Sequence, residues 1–506
     1  MIKSNGGIIG PDNVTTGGAF GTASGVFKLG EVTNLIKESK WPTAGPQGFQ
    51  VANSCRFNSG SSDTLNRTPS GASNRKTFTI SFWVKRAKIG SRQSIFNNTD
   101  SGGQDGVYFD FQADDTFLFN DYGAGSYLTP RFETTQVFRD TSAWYHIVYA
   151  VDTTQGTESN RVKIYVNGNQ VTNFDVANYP SQNQDTLWNR ADTIYIGTYT
   201  AGGNYLGAYL SEVINIDGQQ LTPTSFGEFN SQTGIWVPKV VTGLTFGTNG
   251  FYLPFTNSGA LGEDFSGNNN DFTVNNLTSL DQSTDTCSTN FATLNPLSQG
   301  VAATSRTFSN GNTSVTLGGA DDSSLSSIGV SSGKWYSEFK VTSSANATVG
   351  VGNEVSALVT NPGACNIGSS TGGYGYYRNG QKRINGASLA SYGNSYTDND
   401  IIGVALDLDN GAVYFSKNGT FQASGDPTSG ASTTNAAATG LSGTFFFGCS
   451  NSASGTTGDA FSVNFGSPAY AISSGNTDQN GFGNFEYAVP TGFLSLNTKN
   501  LAAVLA

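Results

Sequence analysis

DIIGVALDLDNGAVYFSKNG, residues Asp400 to Gly419, spells out a β-hairpin together with its faces. A two-residue turn on Asn410-Gly411, both of which tolerate positive φ, sets Leu408 opposite Val413 and Leu406 opposite Phe415 on one face. Asp407 and Tyr414, with Ala405 and Ser416, fall on the other. A slip of one residue would expose the whole apolar set, so pattern and turn chemistry select the same buried face.

Comparable runs fill the chain on both sides of this hairpin. Between about Phe49 and Lys239 come KTFTISFWVKRA (76–87), GVYFDFQ (106–112), DTFLFND (115–121), AWYHIVYAVD (143–152), RVKIYVNGNQVTNF (161–174), DTIYIGTY (192–199) and GAYLSEVINIDG (207–218). Strand spacing of this kind predicts a sandwich. Asn167-Gly168 as a turn sets Ile164 across from Val171, and AWYHIVYAVD, apolar on both faces, reads as a central strand covered on both sides. After about Leu297 the pattern resumes with GKWYSEFKV (333–341), TVGVGN (348–353), YGYYRNGQKRI (374–384), GTFFFGCS (443–450), AFSVNFG (460–466) and GFLSLNTKNL (492–501). Residues 240–297 change composition and read as a bridging segment. Residues 1–48 are Gly-rich and irregular, with one short helix in which Val32, Leu35 and Ile36 recur until Pro42 stops it. Such a helix needs a surface to pack on, which suits a docking arm.

Length and composition set the class. A chain of 506 residues exceeds one core, and 64 glycines against 14 prolines with 12% charged residues fit short strands and tight turns, an all-β protein of two or three domains. Net charge is −11 and no Lys/Arg cluster is present, which argues against nucleic acid or anionic lipid as partner. No stretch approaches the ~18 apolar residues of a membrane span, and the N-terminus lacks the apolar core of a signal peptide, so no membrane insertion and a cytoplasmic origin are expected. Cys55, Cys287, Cys365 and Cys449 show no CxxC spacing and read as free thiols rather than a zinc site or disulfide framework.

Four groups of residues could carry chemistry. His146, the only histidine, shares a strand face with Trp144, Val148 and Ala150 and reads as structural. Asp407 and Asp409 are the nearest approach to the paired carboxylates of a glycosidase, but Asp409 begins the hairpin turn, so no catalytic residue is assigned. Asp264, Asn268, Asn270 and Asp271 in EDFSGNNND concentrate oxygen ligands around a glycine, as calcium requires, or they form turns without any metal. Beyond that possible calcium no cofactor is expected. Tyr374, Tyr376 and Tyr377 form the densest tyrosine cluster; core or edge packing is the commoner fate of such residues, and stacking on a sugar face is the functional alternative for which they are the candidates.

Residues 49–239 resemble laminin-G/concanavalin-A-like jelly-roll modules, through FTISFWVK, AWYHIVYAVD, VKIYVNGNQV and IYIGTY followed by GAYLSEVINIDGQQLTPTSFGEF. Residues 298–506 resemble the SPRY fold, through SGKWYSEFKV, GYGYYRNGQKR, the hairpin, VNFG and PTGFLSLNTKNL in family order. The resemblances imply two concanavalin-A-like jelly-roll β-sandwiches in tandem behind the N-terminal arm. With TNFATLNPL (289–297) and SGVFKLGEV…KESKWP (25–42), the combination is similar to large structural proteins of tailed bacteriophages. That similarity implies a non-enzymatic fibre or adhesin on the virion surface, assembled in the host cytoplasm. It would dock on other virion proteins through residues 1–48 and bind a host glycan or surface protein through sandwich loops. Homo-oligomers, trimers among them, are implied as well. A capsid or tail decoration protein is the alternative, and a glycan depolymerase the third reading.

Overall fold

A computed structural model describes residues 49–505 apart from 101, 104, 201, 232, 299–305, 319–320, 355, 357–365 and 452–457, together with the backbone of 7–14 and 23–28. The expected helix at Val32, Leu35 and Ile36 lies outside the described residues, as does Cys365. The arm is not wholly irregular, because Gly7–Val14 and Ala23–Lys28 pair antiparallel.

Two sheets form the first sandwich. One runs Asn169–Gln170, Val162–Val166, Trp144–Asp152, Thr77–Arg86, Ala208–Asp217, Ser54–Phe57, Gln282–Ser283, with Phe251–Leu253 also on Ala208–Asp217. The other runs Phe174–Asn178, Ser126–Thr134, Phe117–Gly123, Gly106–Phe111, Gln93–Thr99, Thr193–Ile196, Thr64–Arg67, Thr273–Asn275. Period-two alternation drives their inner faces together. Ile147 lies opposite Phe82 and Tyr149 opposite Ile80. These side chains meet Phe96, Phe109, Phe117 and Phe119 of the facing sheet, where the Phe119 and Tyr149 rings stack at 4.6 Å. Each fully buried ring contributes about 1.5–3 kcal/mol. Trp144–Asp152 is covered on both sides as its sequence implies, with Val148 in a second cluster beneath Phe226 and Ile214.

Residues 240–297 are not a bridge. Phe251–Leu253, Thr273–Asn275 and Gln282–Ser283 add edge strands to both sheets of the first sandwich, and Phe251, Leu253, Phe255, Leu261 and Phe272 fill its core. Phe291 and Leu294 then pair with Asn497 and Ser326, so the second unit begins inside the same segment. Compositional shift marked an Asn-rich loop lying on the fold, because edge strands of two or three residues leave no periodicity to read.

In the second sandwich one sheet runs Thr307–Ser309, Ser314–Leu317, Asp459–Asn464, Lys334–Ser343, Ile401–Asp407, Ala412–Lys417, Thr420–Phe421, flanked by Ala438–Thr439 and by Leu494–Ser495, which pairs in parallel. The facing sheet runs Ser323–Leu325, Phe445–Asn451, Ala347–Asn353, Gly373–Tyr377, Gln381–Ile384, Ala390–Ser391. The last expected strand is strand only at Leu494–Ser495; a helix, Thr498–Leu505, follows and lays Leu501 and Val504 on the core.

The opening hairpin forms with the predicted faces but a register shifted by two. Leu406 pairs with Val413 and Asp407 with Ala412, so the loop holds four residues, Leu408 to Gly411. Two contacts with the neighbouring strand's start decide this: the Leu408 N–H donates to the Gly333 carbonyl at 2.9 Å, and Asp409 Oδ1 accepts the Gly333 N–H at 2.8 Å. An even shift preserves which side chains are buried. The Asn167-Gly168 hairpin keeps its predicted register, with both turn residues at positive φ and the Val171 N–H on the Ile164 carbonyl at 2.8 Å.

The two sandwiches touch directly. Tyr209 donates to the Gly311 carbonyl at 2.9 Å, and Asn312 donates to the Ala87 carbonyl at 2.9 Å.

Candidate functional site

His146 sits on the outer face of its strand, 1% exposed, between the indoles of Trp83 (4.7 Å between centroids) and Trp236 (5.9 Å). Trp236 Nε1 lies 2.9 Å from His146 Nδ1, and Ser81 Oγ lies 2.9 Å from Nε2. An indole N–H can only donate, so Nδ1 must be the acceptor and the ring proton resides on Nε2, pointing at Ser81. A serine-activating histidine needs the reverse arrangement, with Nε2 free to take the hydroxyl proton. Burial pushes the imidazole down to about 3, keeping it neutral. The dyad is therefore a clamp that holds the Trp236 strand against the sheet.

The carboxylate pair is equally committed. Asp407, 1% exposed, is 3.1 Å from Lys334 Nζ and accepts the Asn410 N–H and side-chain amide at 3.0 and 2.8 Å. Asp409 is held by Gly333 as described. Asp407 is buried and Asp409 exposed, and both carboxylates are engaged in holding the hairpin loop.

The calcium candidates do not fit the ion. Asp264 Oδ1 accepts the Tyr252 and Ser266 N–H groups at 2.8 and 2.9 Å, and Oδ2 accepts Ser266 Oγ–H and the Asn270 N–H at 2.7 and 2.8 Å. Asn268 and Asn270 donate their amides to the carbonyls of Gly247, Thr248 and Gly250, while Arg67 donates to Asn270 Oδ1. Asp271 Oδ1 accepts the Asp264 N–H at 2.8 Å. Calcium needs roughly six to eight oxygens turned inward, and these are turned to donors instead. Among the described residues no cluster of three His, Cys, Asp or Glu could hold a metal.

The tyrosine cluster takes the packing alternative. Tyr374, Tyr376 and Tyr377 occupy the fully buried strand Gly373–Tyr377 and present no ring face to a sugar. Tyr376 stacks on Phe415 at 5.7 Å and Tyr374 packs near Phe445 at 5.8 Å in the core. Tyr377 lies on the opposite face, its hydroxyl on the Ile367 carbonyl at 3.0 Å. The facing sheet covers the Tyr374 and Tyr376 side through Phe415, and the segment at Asn366 and Ile367 covers Tyr377.

What these tyrosines lead into is more suggestive. Immediately after Tyr377, Arg378 divides two adjoining hollows of about 420 and 370 Å³ at one end of the second sandwich. Ser343, Ser344 and Asp398 line the first; Asn346, Asn379 and Ser395 line the second; Ala345, Arg378 and Thr397 belong to both. Strand ends place them: the loops after Lys334–Ser343 and Gly373–Tyr377 meet the segment entering Ile401–Asp407. Arg378 Nη1 donates to the Ala345 carbonyl at 2.5 Å, and Asp398 Oδ1 accepts Ser344 Oγ–H at 2.5 Å. Beneath them, partial burial opposes ionisation of Asp400, yet the Thr397 N–H, Asn418 and the Lys417 ammonium hold its carboxyl below the usual range. Hydroxyls and amides around one guanidinium and one carboxylate can exchange hydrogen bonds with a polyhydroxylated ligand. Sequence reading missed this group because its members come from separate loops. A larger cavity of about 640 Å³, lined by Phe57, Ala87, Ile89, Leu297 and Phe308 among others, lies where the sandwiches meet.

Residues 59–224 match the Laminin_G_3 family, described as the concanavalin A-like lectin/glucanases superfamily, and residues 334–466 match the SPRY domain. Among solved structures, the chain is similar to the SPRY domain of human HERC1 at 19% identity and TM-score 0.23, covering 30% of this chain and 86% of that one. It is also similar to a heptameric SAP-like pentraxin from Limulus polyphemus at 18% identity and TM-score 0.24, covering 35% and 76%. The two family matches and the sheet pairing make the fold all-β, a concanavalin A-like sandwich followed by a SPRY sandwich, and both are modules of a kind that fits a binding role.

Proposed function

We propose that this chain is a non-enzymatic binding protein that takes a glycan at the Arg378 hollows of its second sandwich. The observation that carries the reading is the convergence of Arg378, Asp398 and a ring of serine, threonine and asparagine side chains on one open surface. The reading extends to display on a tailed-phage particle, with residues 1–48 as the attachment arm; support for that part is the resemblance of the arm and of TNFATLNPL to phage structural proteins. The Trp236-imposed tautomer of His146 and the internal pairing of Asp407 and Asp409 weigh against a depolymerase.

The test is binding of purified protein to host cells and to their extracted polysaccharide. Arg378→Ala should weaken binding about tenfold, or about 1.4 kcal/mol, while the thermal transition stays unchanged. Undiminished binding in that variant would remove the hollows from the site. Absence of binding in every oligomeric state would overturn the glycan reading itself.

A further inference from the structure

We propose that Lys85 and Asn290 become joined by an isopeptide bond that the folded chain makes unaided, with Asp285 as the proton carrier. Lys85 lies on the strand Thr77–Arg86 with its side chain 1% exposed, and Asp285 is equally buried. Lys85 Nζ is 2.7 Å from Asn290 Oδ1, 2.8 Å from Asp285 Oδ2 and 2.9 Å from the Phe291 carbonyl. Asp285 Oδ1 accepts Trp144 Nε1–H at 3.2 Å, and the Tyr209 ring lies 5.7 Å from Nζ. The amide is oriented by its own bond, Asn290 Nδ2 donating to the Ser142 carbonyl at 2.6 Å.

This arrangement places a buried nucleophile and a buried proton acceptor against a half-buried electrophile, Asn290. A hydrogen bond to Oδ1 of this length sets Nζ roughly 3.5 Å from the amide carbon, within the ~3–3.5 Å range of reacting atoms in a near-attack arrangement. Removal of one ammonium proton to Asp285 leaves an amine whose lone pair attacks Cγ of Asn290. The Nζ–Cγ bond forms and the Cγ–Nδ2 bond breaks. Of the three original ammonium protons, one stays on the new amide nitrogen and two pass through Asp285 to the departing nitrogen, which leaves as ammonium. The Asp285 carboxylate is regenerated, and no oxidant or cofactor is consumed. Proximity replaces a bimolecular encounter, the same advantage that intramolecular reactions of high effective molarity exploit.

The bond would tie a central strand of the first sandwich to the segment that enters the second, across 205 positions of sequence. It would therefore lock the junction between the modules covalently. The alternative is a static triad in which Lys85 uses its three donors and nothing reacts.

Intact mass of the denatured full-length protein separates the two. Wild type should weigh about 17 Da less than its sequence, the mass of ammonia, and a tryptic digest should contain one branched peptide joining the Lys85 and Asn290 segments. Lys85→Arg, Asn290→Ala and Asp285→Ala should each restore the full mass. A wild-type protein at its full sequence mass, or a deficit that persists in Asn290→Ala, would overturn the proposal. Because the primary reading is on wild type, it does not depend on any variant folding.

Discussion

The Trp236 indole donates to Nδ1 of His146 at 2.9 Å, which leaves the imidazole proton on Nε2 and facing Ser81. A histidine trapped neutral in this way links stability to acid. Its folded value is about 3 against an ordinary 6.5. Between those values the unfolded chain binds a proton that the folded chain refuses, so stability is present above about 6.5 and is lost as pH falls toward 3. The slope is about 1.4 kcal/mol per pH unit. Urea denaturation at pH 4 to 6 should give a stability-against-pH slope in wild type that exceeds that of His146→Gln by about 1.4 kcal/mol per pH unit, since the carboxylates titrate alike in both. Equal slopes would mean that His146 titrates in the fold.

Glu212 behaves in the opposite sense. It sits at a bulge of Ala208–Asp217 with φ of +49°, 5% exposed, accepting the Tyr252 hydroxyl at 2.7 Å. Burial raises its carboxyl to about 7 despite that hydrogen bond. The folded state holds the extra proton, so the contribution is present below about 4.5 and is lost as pH rises through 7. Glu212→Gln should gain on wild type by up to about 3 kcal/mol between pH 4.5 and 8, read from denaturation midpoints. A constant difference across that range would refute the assignment.

Two glycines separate backbone strain from packing. Gly168 has φ of +79° and a Cβ there would lie 2.3 Å from the Trp236 ring; Gly90 has φ of +69° and open space. Gly90→Ala should cost about 1 kcal/mol, the price of the left-handed conformation alone. Gly168→Ala should cost about 1–3 kcal/mol more, because the clamped indole must move. Similar losses in the two variants, by thermal denaturation, would show that Trp236 yields freely.

Asp407 and Asp409 are expected to matter for folding. Asp407→Ala removes the partner of Lys334 and the support of the Asn410 turn and should destabilise by about 2–3 kcal/mol. Asp409→Ala, which frees one backbone N–H at Gly333, should cost about 1 kcal/mol. Release of reducing ends from host polysaccharide by wild type, abolished in the double variant, would restore the enzymatic reading.

Local chemistry made much of the fold legible. Asn167-Gly168 carries its own register because both residues accept positive φ and the turn needs nothing from elsewhere. The Asp400–Gly419 hairpin shows the limit: alternation chose the faces correctly, while contacts with Gly333, distant in sequence, chose the register. Short edge strands such as Thr273–Asn275 and Gln282–Ser283 left no period to detect, so the segment holding them read as a bridge.

The candidate sites divide in the same way. Asp264 and its asparagines offered the right atoms for calcium, and only the fold turned those atoms to backbone donors. Tyr374, Tyr376 and Tyr377 offered aromatic faces, and the facing sheet together with the segment at Asn366 and Ile367 buried them. By itself the sequence determined an all-β chain of two sandwiches, since period-two alternation and turn residues act over a few neighbours. Only the tertiary structure decided which polar side chains left water and what they met there. It brought Lys85 to Asn290, His146 to Trp236, and Arg378 to Asp398, because such meetings depend on strands and loops that the chain joins through long detours.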